Sequence, residues 1–257
     1  MRRLGLAVLI SFFAGLAICP SSFSRSLEVA ARVSVWPPVY WKENGQWTGM
    51  DIDFYTVLEK ETGLDFTFHN LPWTRGIIGL KKGTITLMSQ LSKTKEREQY
   101  IHFIGPYNHE EIVLLVRKEN LNVPIASLDE MVRAAKEQGL KIGFLQNVWY
   151  GDAFKQKIET DPEFSNQFVF VKENLAEMLL YKRIFGYIEQ RVFFVHQIKT
   201  QPKYKELAIH NFTLNRGPIY FGVTKKADPK IVERLRKGVQ TLMENGTFKK
   251  VETKWKN

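Results

Sequence analysis

Short apolar strands alternate with amphipathic helices along this chain, and the alternation starts twice. Arg32-Val33-Ser34-Val35-Trp36 alternates in polarity as a half-buried strand does and stops at Pro37-Pro38. A turn is predicted at Glu43-Asn44-Gly45. Residues 51–62 are predicted as a helix, because Ile52, Tyr55, Val57 and Leu58 cluster near one side and Gly63 ends the run. Leu64-Asp65-Phe66-Thr67-Phe68 alternates again, residues 74–82 form a helix closed by Gly83, and Ile85-Thr86-Leu87-Met88 is a third strand. Strands separated by helices imply a parallel sheet with right-handed crossovers.

The second round begins mid-chain. Ile112-Val113-Leu114-Leu115-Val116 is a wholly apolar strand, and Ser127-Leu128-Asp129-Glu130 is a capping box opening a helix that ends at Gly139. Lys141-Ile142-Gly143-Phe144-Leu145 is a strand, residues 148–159 a helix, and Phe168-Val169-Phe170-Val171 a strand. Asn174 caps a helix through Arg183, and residues 185–188 form a strand. Ile219-Tyr220-Phe221-Gly222-Val223 is a late strand, and Asp228-Pro229 opens a long helix that stops near Asn245-Gly246. No low-complexity linker separates the rounds, so two α/β lobes sharing one chain are expected. Ligands of such folds bind outside the carboxyl ends of the parallel strands.

The first residues stand apart. Met1-Arg2-Arg3 is a positive start, an uncharged apolar run follows from Leu4 to Ile18, and small residues lie at Ser22 and Ser24. That is the three-part form of a cleavable secretory signal over residues 1–24. The apolar run of about 15 residues falls short of the roughly 20 that span a bilayer. Cleavage removes two arginines and no acid, lowering the formal net charge of +10 by two. It also removes Cys19, the only cysteine, leaving no disulfide, thiolate nucleophile or cysteine metal site. The remaining basic residues are scattered along amphipathic helices with no long basic run, which argues against a nucleic-acid partner. The histidines at 69, 102, 109, 196 and 210 form no H-x-x-x-H or H-E-x-x-H pattern, and no G-x-S-x-G or phosphate loop is present. No metal, cofactor or catalytic residue is expected.

Several runs, in order along almost the whole mature chain, resemble family 3 extracellular solute-binding proteins. Gly49-Met50-Asp51-Ile52-Asp53-Phe54 resembles the family's G-F-D-x-D-hydrophobic run. Trp73-Thr74-Arg75 with Leu80 and Gly83 is similar to its next helix. Residues 88–97 resemble the stretch ending in the ligand arginine, and Phe103-Ile104-Gly105-Pro106-Tyr107 resembles its F-S-x-P-Y block. Lys141-Ile142-Gly143-Phe144-Leu145-Gln146, Asn245-Gly246-Thr247-Phe248 and Lys254-Trp255 are similar to the strand opening the second lobe and to the family's C-terminal end. The resemblance implies the two-lobed periplasmic-binding-protein type II fold, an α/β fold in which each lobe is a mostly parallel sheet flanked by helices. Lobe 1 is expected at residues 25–109 and 217–257 and lobe 2 at 110–216, with hinge crossovers near 110–114 and 216–220. It further implies a periplasmic monomer that closes on a small molecule and delivers it to a membrane permease of an ABC transporter.

The resemblance also assigns roles. Arg97 matches the arginine that holds a ligand carboxylate, a task suited to a planar guanidinium fork. Ser92 matches a ligand hydroxyl, and Gln90 stands where the family has a smaller polar residue. Trp36 and Trp73 match positions that cover or line the ligand. After Gln146, Asn147-Val148-Trp149 replaces a Gly-Thr pair that assists the carboxylate, which brings Trp149 into the candidate site. The second-lobe motif departs further: Phe185 and Gln190 stand where aspartates are usual, and Glu189 is charged but one residue out of register. Adjacent strand residues face opposite ways, so Glu189 does not simply replace an aspartate at 190. A carboxylate, a neutral polar molecule or an aromatic ligand is therefore expected to fit better than a standard α-amino acid. The competing expectations are an enzyme resembling cyclohexadienyl dehydratases, with Arg97 and Glu189 as clamp and acid, and a detached sensory receptor.

Overall fold

The computed structural model describes residues 27–145, 148–170 and 175–256. The export signal over 1–24, Gln146, Asn147, Val171 and the Asn174 cap lie outside the described residues. The first half is built from β1 (Glu28–Val33), the hairpin β2 (Trp41–Glu43) and β3 (Gln46–Thr48), α1 (Met50–Thr62), β4 (Asp65–Asn70), α2 (Trp73–Lys82) and β5 (Leu87–Leu91). The long strand β6 (Ile101–Arg117) leads into α3 (Leu128–Glu137), β7 (Ile142–Phe144), α4 (Asp152–Thr160), α5 (Pro162–Ser165) and β8 (Phe168–Phe170). Then come α6 (Leu175–Leu180), β9 (Gly186–Gln190), α7 (Arg191–Thr200), a second long strand β10 (Leu207–Thr224), α8 (Pro229–Glu244) and α9 (Thr247–Lys256).

Two parallel trios, β4-β1-β5 and β9-β7-β8, sit at opposite ends of one eight-stranded sheet of order β4-β1-β5-β10-β6-β9-β7-β8. The strands between them, β10 and β6, are antiparallel to each other and to their outer neighbours β5 and β9. The apolar side chains divide in the same way. One core gathers Val29, Phe54, Leu87, Phe221 and Phe248, with a smaller cluster of Leu80, Met88 and Ile101 beside it. On the other side of the crossover, Ile112 and Leu114 face Ile142, Phe168 and Phe185, whereas Val113 and Leu115 face Leu179, Tyr187 and Phe194. This period-two split explains why residues 112–116 are apolar without interruption: both faces of β6 are buried there.

Local chemistry sets most boundaries. Ser127 caps α3 by accepting from the Glu130 N–H at 3.2 Å, while the Glu130 carboxylate reaches one residue further back, to the Ala126 N–H. Asp228 caps α8 through the Lys230 N–H, and Asn245 follows its last turn. Some predicted boundaries move. The strand around Arg32 starts at Glu28 and ends at Val33, because Trp36 turns back to pair with Tyr40. The third strand is displaced to Leu87–Leu91, and the helix expected from 148 starts only at Asp152. The strand expected to end at 188 continues through Glu189 and Gln190, which carries both to its carboxyl end.

Candidate ligand-binding cleft

The carboxyl ends of the two parallel trios meet across the crossover strands. Gln90, near the end of β5, accepts a hydrogen bond on Oε1 from the Nε2 of Gln190, the last residue of β9, at 3.4 Å. The same Gln190 amide donates to Glu110 Oε2 at 3.0 Å, and Ser92 Oγ donates to Glu110 Oε1 at 2.7 Å. Arg97 stands beside this group and donates to the Ser92 carbonyl at 2.9 Å. All five side chains are buried. Four of them are residues singled out from sequence; Glu110 is not.

Glu110 lies on β6 opposite Gly217 of β10, inside the segment expected to serve only as a hinge. Its signal was present in the chain: extending the apolar run of 112–116 back by two residues puts Glu110 on the face of Ile112 and Leu114. Gln190, opposite Ile112, shares that face. Glu189 pairs with Val113 and takes the other face, as the alternation predicted, and its carboxylate accepts the Gln190 N–H at 2.8 Å. Phe185 is fully buried in the second core, so that position contributes packing rather than charge.

The tryptophans are distributed around the cluster. Trp73 is half-buried and has two guanidinium carbons over its ring, Arg97 at 5.9 Å and Arg32 at 5.5 Å. Trp149 borders two adjoining cavities of about 460 and about 400 Å³. Arg97, Tyr100 and Tyr150 line the larger, Ser92 and Glu110 the smaller, and Thr94 is common to both. Volumes of this order suit a small molecule. Trp36 sits apart from these cavities, packed on the first core with its ring 6.1 Å from that of Phe193 on α7.

Behind Gln90 lies a second polar layer. Asp51 is fully buried in the first turn of α1 and accepts from Gln90 Nε2 at 2.9 Å, from Tyr107 OH at 3.0 Å and from Tyr40 OH at 3.3 Å. Ser89 is held by Tyr40 and Tyr55. Gln90 has φ of +62°, a left-handed backbone unusual for a residue with a side chain, and its N–H is anchored on Tyr107 OH at 3.1 Å. Gly49 brings Asp51 to this layer: its φ is +128°, and a Cβ there would collide with the Val39 carbonyl.

Burial dominates the electrostatics. It pushes Glu110 up to about 7, against the opposing hydrogen bonds from Ser92 and Gln190 and the attraction of Arg97. Burial also pushes Glu189 to about 7, with repulsion from Glu110 adding to the rise, and Asp51 to about 6 despite its hydrogen bonds. Burial lowers the Arg97 guanidinium, with attraction from Tyr100 and Glu110 opposing it. Burial thus raises Glu110 and Glu189 toward neutrality beside the Arg97 guanidinium, and raises Asp51 less, in the layer behind the cleft. Among the described residues no group of three or more His, Cys, Asp or Glu is placed to hold a metal, and no helix is long and apolar enough to cross a membrane.

Known proteins share both the sequence pattern and the fold. The profile of bacterial extracellular solute-binding proteins, family 3, matches residues 27–257. The "Probable amino-acid-binding protein YxeM" of Bacillus subtilis (strain 168) is 24% identical over 265 residues, spanning 100% of this chain and 96% of its own. A histidine kinase sensor domain with similarity to periplasmic binding proteins superposes with a TM-score of 0.74 at 15% identity, covering 90% of this chain and 96% of that one. An ancestral arginine-binding protein bound to arginine gives 0.73 at 22% identity, covering 90% and 97%. At such identities the superpositions establish the fold.

Proposed function

Because the chain belongs to family 3 of the bacterial extracellular solute-binding proteins, we propose that it captures a small solute bearing an amino group and a carboxylate. Capture takes place between two lobes outside the inner membrane, after export through residues 1–24, and the solute passes to an ABC-type permease. The lobes are residues 25–109 with 217–257, and residues 110–216. They close about the middle of β6 and β10, where the two strands run as an antiparallel pair between the cores.

The observation that carries this reading is the bridge from Gln90 through Gln190 to Glu110 and Ser92, with Arg97 beside it. Glu110 supplies the negative charge that Phe185 and Gln190 remove from the usual ammonium site. Its two oxygens have lone pairs beyond those used by Ser92 and Gln190, and a ligand ammonium there would offset its burial. Arg97 receives the carboxylate, and Trp73 and Trp149 flank the side chain. The sequence pattern that disfavoured an α-amino acid is thus offset by a residue to which the resemblance gave only a hinge role. A thermal-shift screen of amino acids, amines and plain carboxylates tests the class directly. A ligand at 100 times its dissociation constant raises stability by roughly 2.7 kcal/mol. Shifts given only by compounds without an amino group would overturn the reading.

A second reading draws on one observation, the two buried acids Glu110 and Glu189, both near 7. Groups poised at neutrality suit general acid–base chemistry. On this reading the chain acts as a dehydratase on a carboxylate held by Arg97. Phenylpyruvate formed from prephenate by the purified protein, and lost in Glu110→Gln, would establish it over simple capture.

A further inference from the structure

The direction in which Gln90 presents its amide is fixed from behind. Asp51 as a carboxylate only accepts hydrogen bonds, so the Gln90 group 2.9 Å from its Oδ1 is the NH2. The amide oxygen is then left to face the cleft, where it takes the hydrogen bond from Gln190. Tyr107 and Tyr40 direct their hydroxyls at the other oxygen of Asp51, so the carboxylate does not turn to release Gln90. Burial of the whole layer raises the cost of any arrangement that leaves one of these groups without a partner.

We infer that Asp51, which is sealed from the cleft, is a positioning residue that sets ligand selection by holding Gln90 with its oxygen outward. The wall next to Glu110 then offers the solute two acceptors and rejects an acceptor in the same place. This rests on the cleft being the solute site, and it adds a residue that touches no ligand. Asp51→Asn reverses the polarity: the new amide donates to the Gln90 oxygen, and the Gln90 NH2 turns to the cleft. The double change Asp51→Asn with Gln90→Glu restores it, since the new amide donates to the Glu at 90, whose other oxygen again faces the cleft as an acceptor.

The test has two parts. The first needs no ligand: in 15N spectra of the full mature chain, the Gln90 side-chain NH2, assigned by its loss in Gln90→Glu, is slow to exchange with solvent. In Asp51→Asn it exchanges at least ten-fold faster. The second uses the proteinogenic L-amino acid with the largest thermal shift and its desamino analogue, titrated into each protein. The preference for the amine falls about ten-fold or more in Asp51→Asn, as expected for a hydrogen bond to a charged group, and returns in the double variant. A protected Gln90 NH2 with no amino acid bound would defeat the solute reading and leave the positioning role standing. A Gln90 NH2 equally exposed in wild type and Asp51→Asn would overturn the inference. So would loss of affinity in Asp51→Asn that is equal for both ligands and not recovered in the double variant.

Discussion

Replacing Glu110 by Gln removes a charge while keeping its shape and its neighbours. The Gln oxygen accepts from Gln190, and the Gln amide donates to Ser92, whose hydroxyl turns round. In the unliganded protein Glu110 is raised from 4.5 to about 7, so between those values the native state holds a proton that the unfolded chain has lost. Stability from this group is full below about pH 4.5 and is lost as pH rises through about 7. One raised carboxyl of this size amounts to on the order of 3 kcal/mol at pH 8. At roughly 2–4 °C per kcal/mol for a chain of this length, Glu110→Gln is expected to raise the Tm of the unliganded protein by about 6–12 °C at pH 8 and to leave it unchanged at pH 4.5. Binding changes in the opposite direction. A ligand ammonium favours the charged carboxylate, so wild-type affinity strengthens from pH 6 to pH 8 with release of protons, and Glu110→Gln weakens it by roughly 2–5 kcal/mol. The assays are differential scanning calorimetry across pH and titration calorimetry in buffers of different ionisation enthalpy. Equal Tm profiles for the two proteins would show that Glu110 is not a raised buried acid, and a Kd that does not respond to the substitution would show that it is not a partner of the ligand ammonium.

Three further outcomes are expected. Arg97→Ala should weaken binding of a carboxylate-bearing solute by roughly 2–5 kcal/mol, and Arg97→Lys should recover only part of it because the two-pronged contact is gone; equilibrium titration reads both. Phe185→Ala should lower stability by about 3–5 kcal/mol in denaturant melts, because the ring is fully buried among Ile142, Phe168 and Ile188. Glu111 behaves oppositely to Glu110. Burial raises it, but hydrogen bonds from Arg191, Arg216 and Thr213 outweigh that and hold it at about 2. Its stability is present above about pH 4.5 and lost as pH falls toward 2, so Glu111→Gln should flatten the acid limb of the Tm profile there.

Helices were the most legible elements, since Gly63 and Gly83 end α1 and α2 in left-handed turns and Ser127 and Asp228 cap α3 and α8. The parallel pairing within each trio, though not its strand order, followed from the alternation with helices. What did not follow was the length of β6 and β10, whose polar central residues interrupt the pattern by which a strand is recognised. That failure hid Glu110: a glutamate at a presumed hinge crossover carries no expectation of burial, whereas one on a long strand facing Ile112 does. The Asp51 layer was hidden for a different reason. Its partners Tyr40, Ser89, Gln90 and Tyr107 are distant in sequence, and only the approach of α1 to the end of β5 brings them together. Gln90, Ser92, Arg97 and Gln190 were legible through the family pattern, and their gathering into one hydrogen-bonded group depended on β9 running two residues further than its apolar residues indicate.

The most direct test of the amino-group claim is titration calorimetry of the wild-type protein at pH 7.5 with L-amino acids, each beside its desamino analogue. The expected result is saturable binding of at least one amino acid, at least about ten-fold tighter than its analogue, with release of protons on binding. Equal affinity for an amino acid and its desamino analogue, or tight binding confined to solutes without an amino group, would contradict the account.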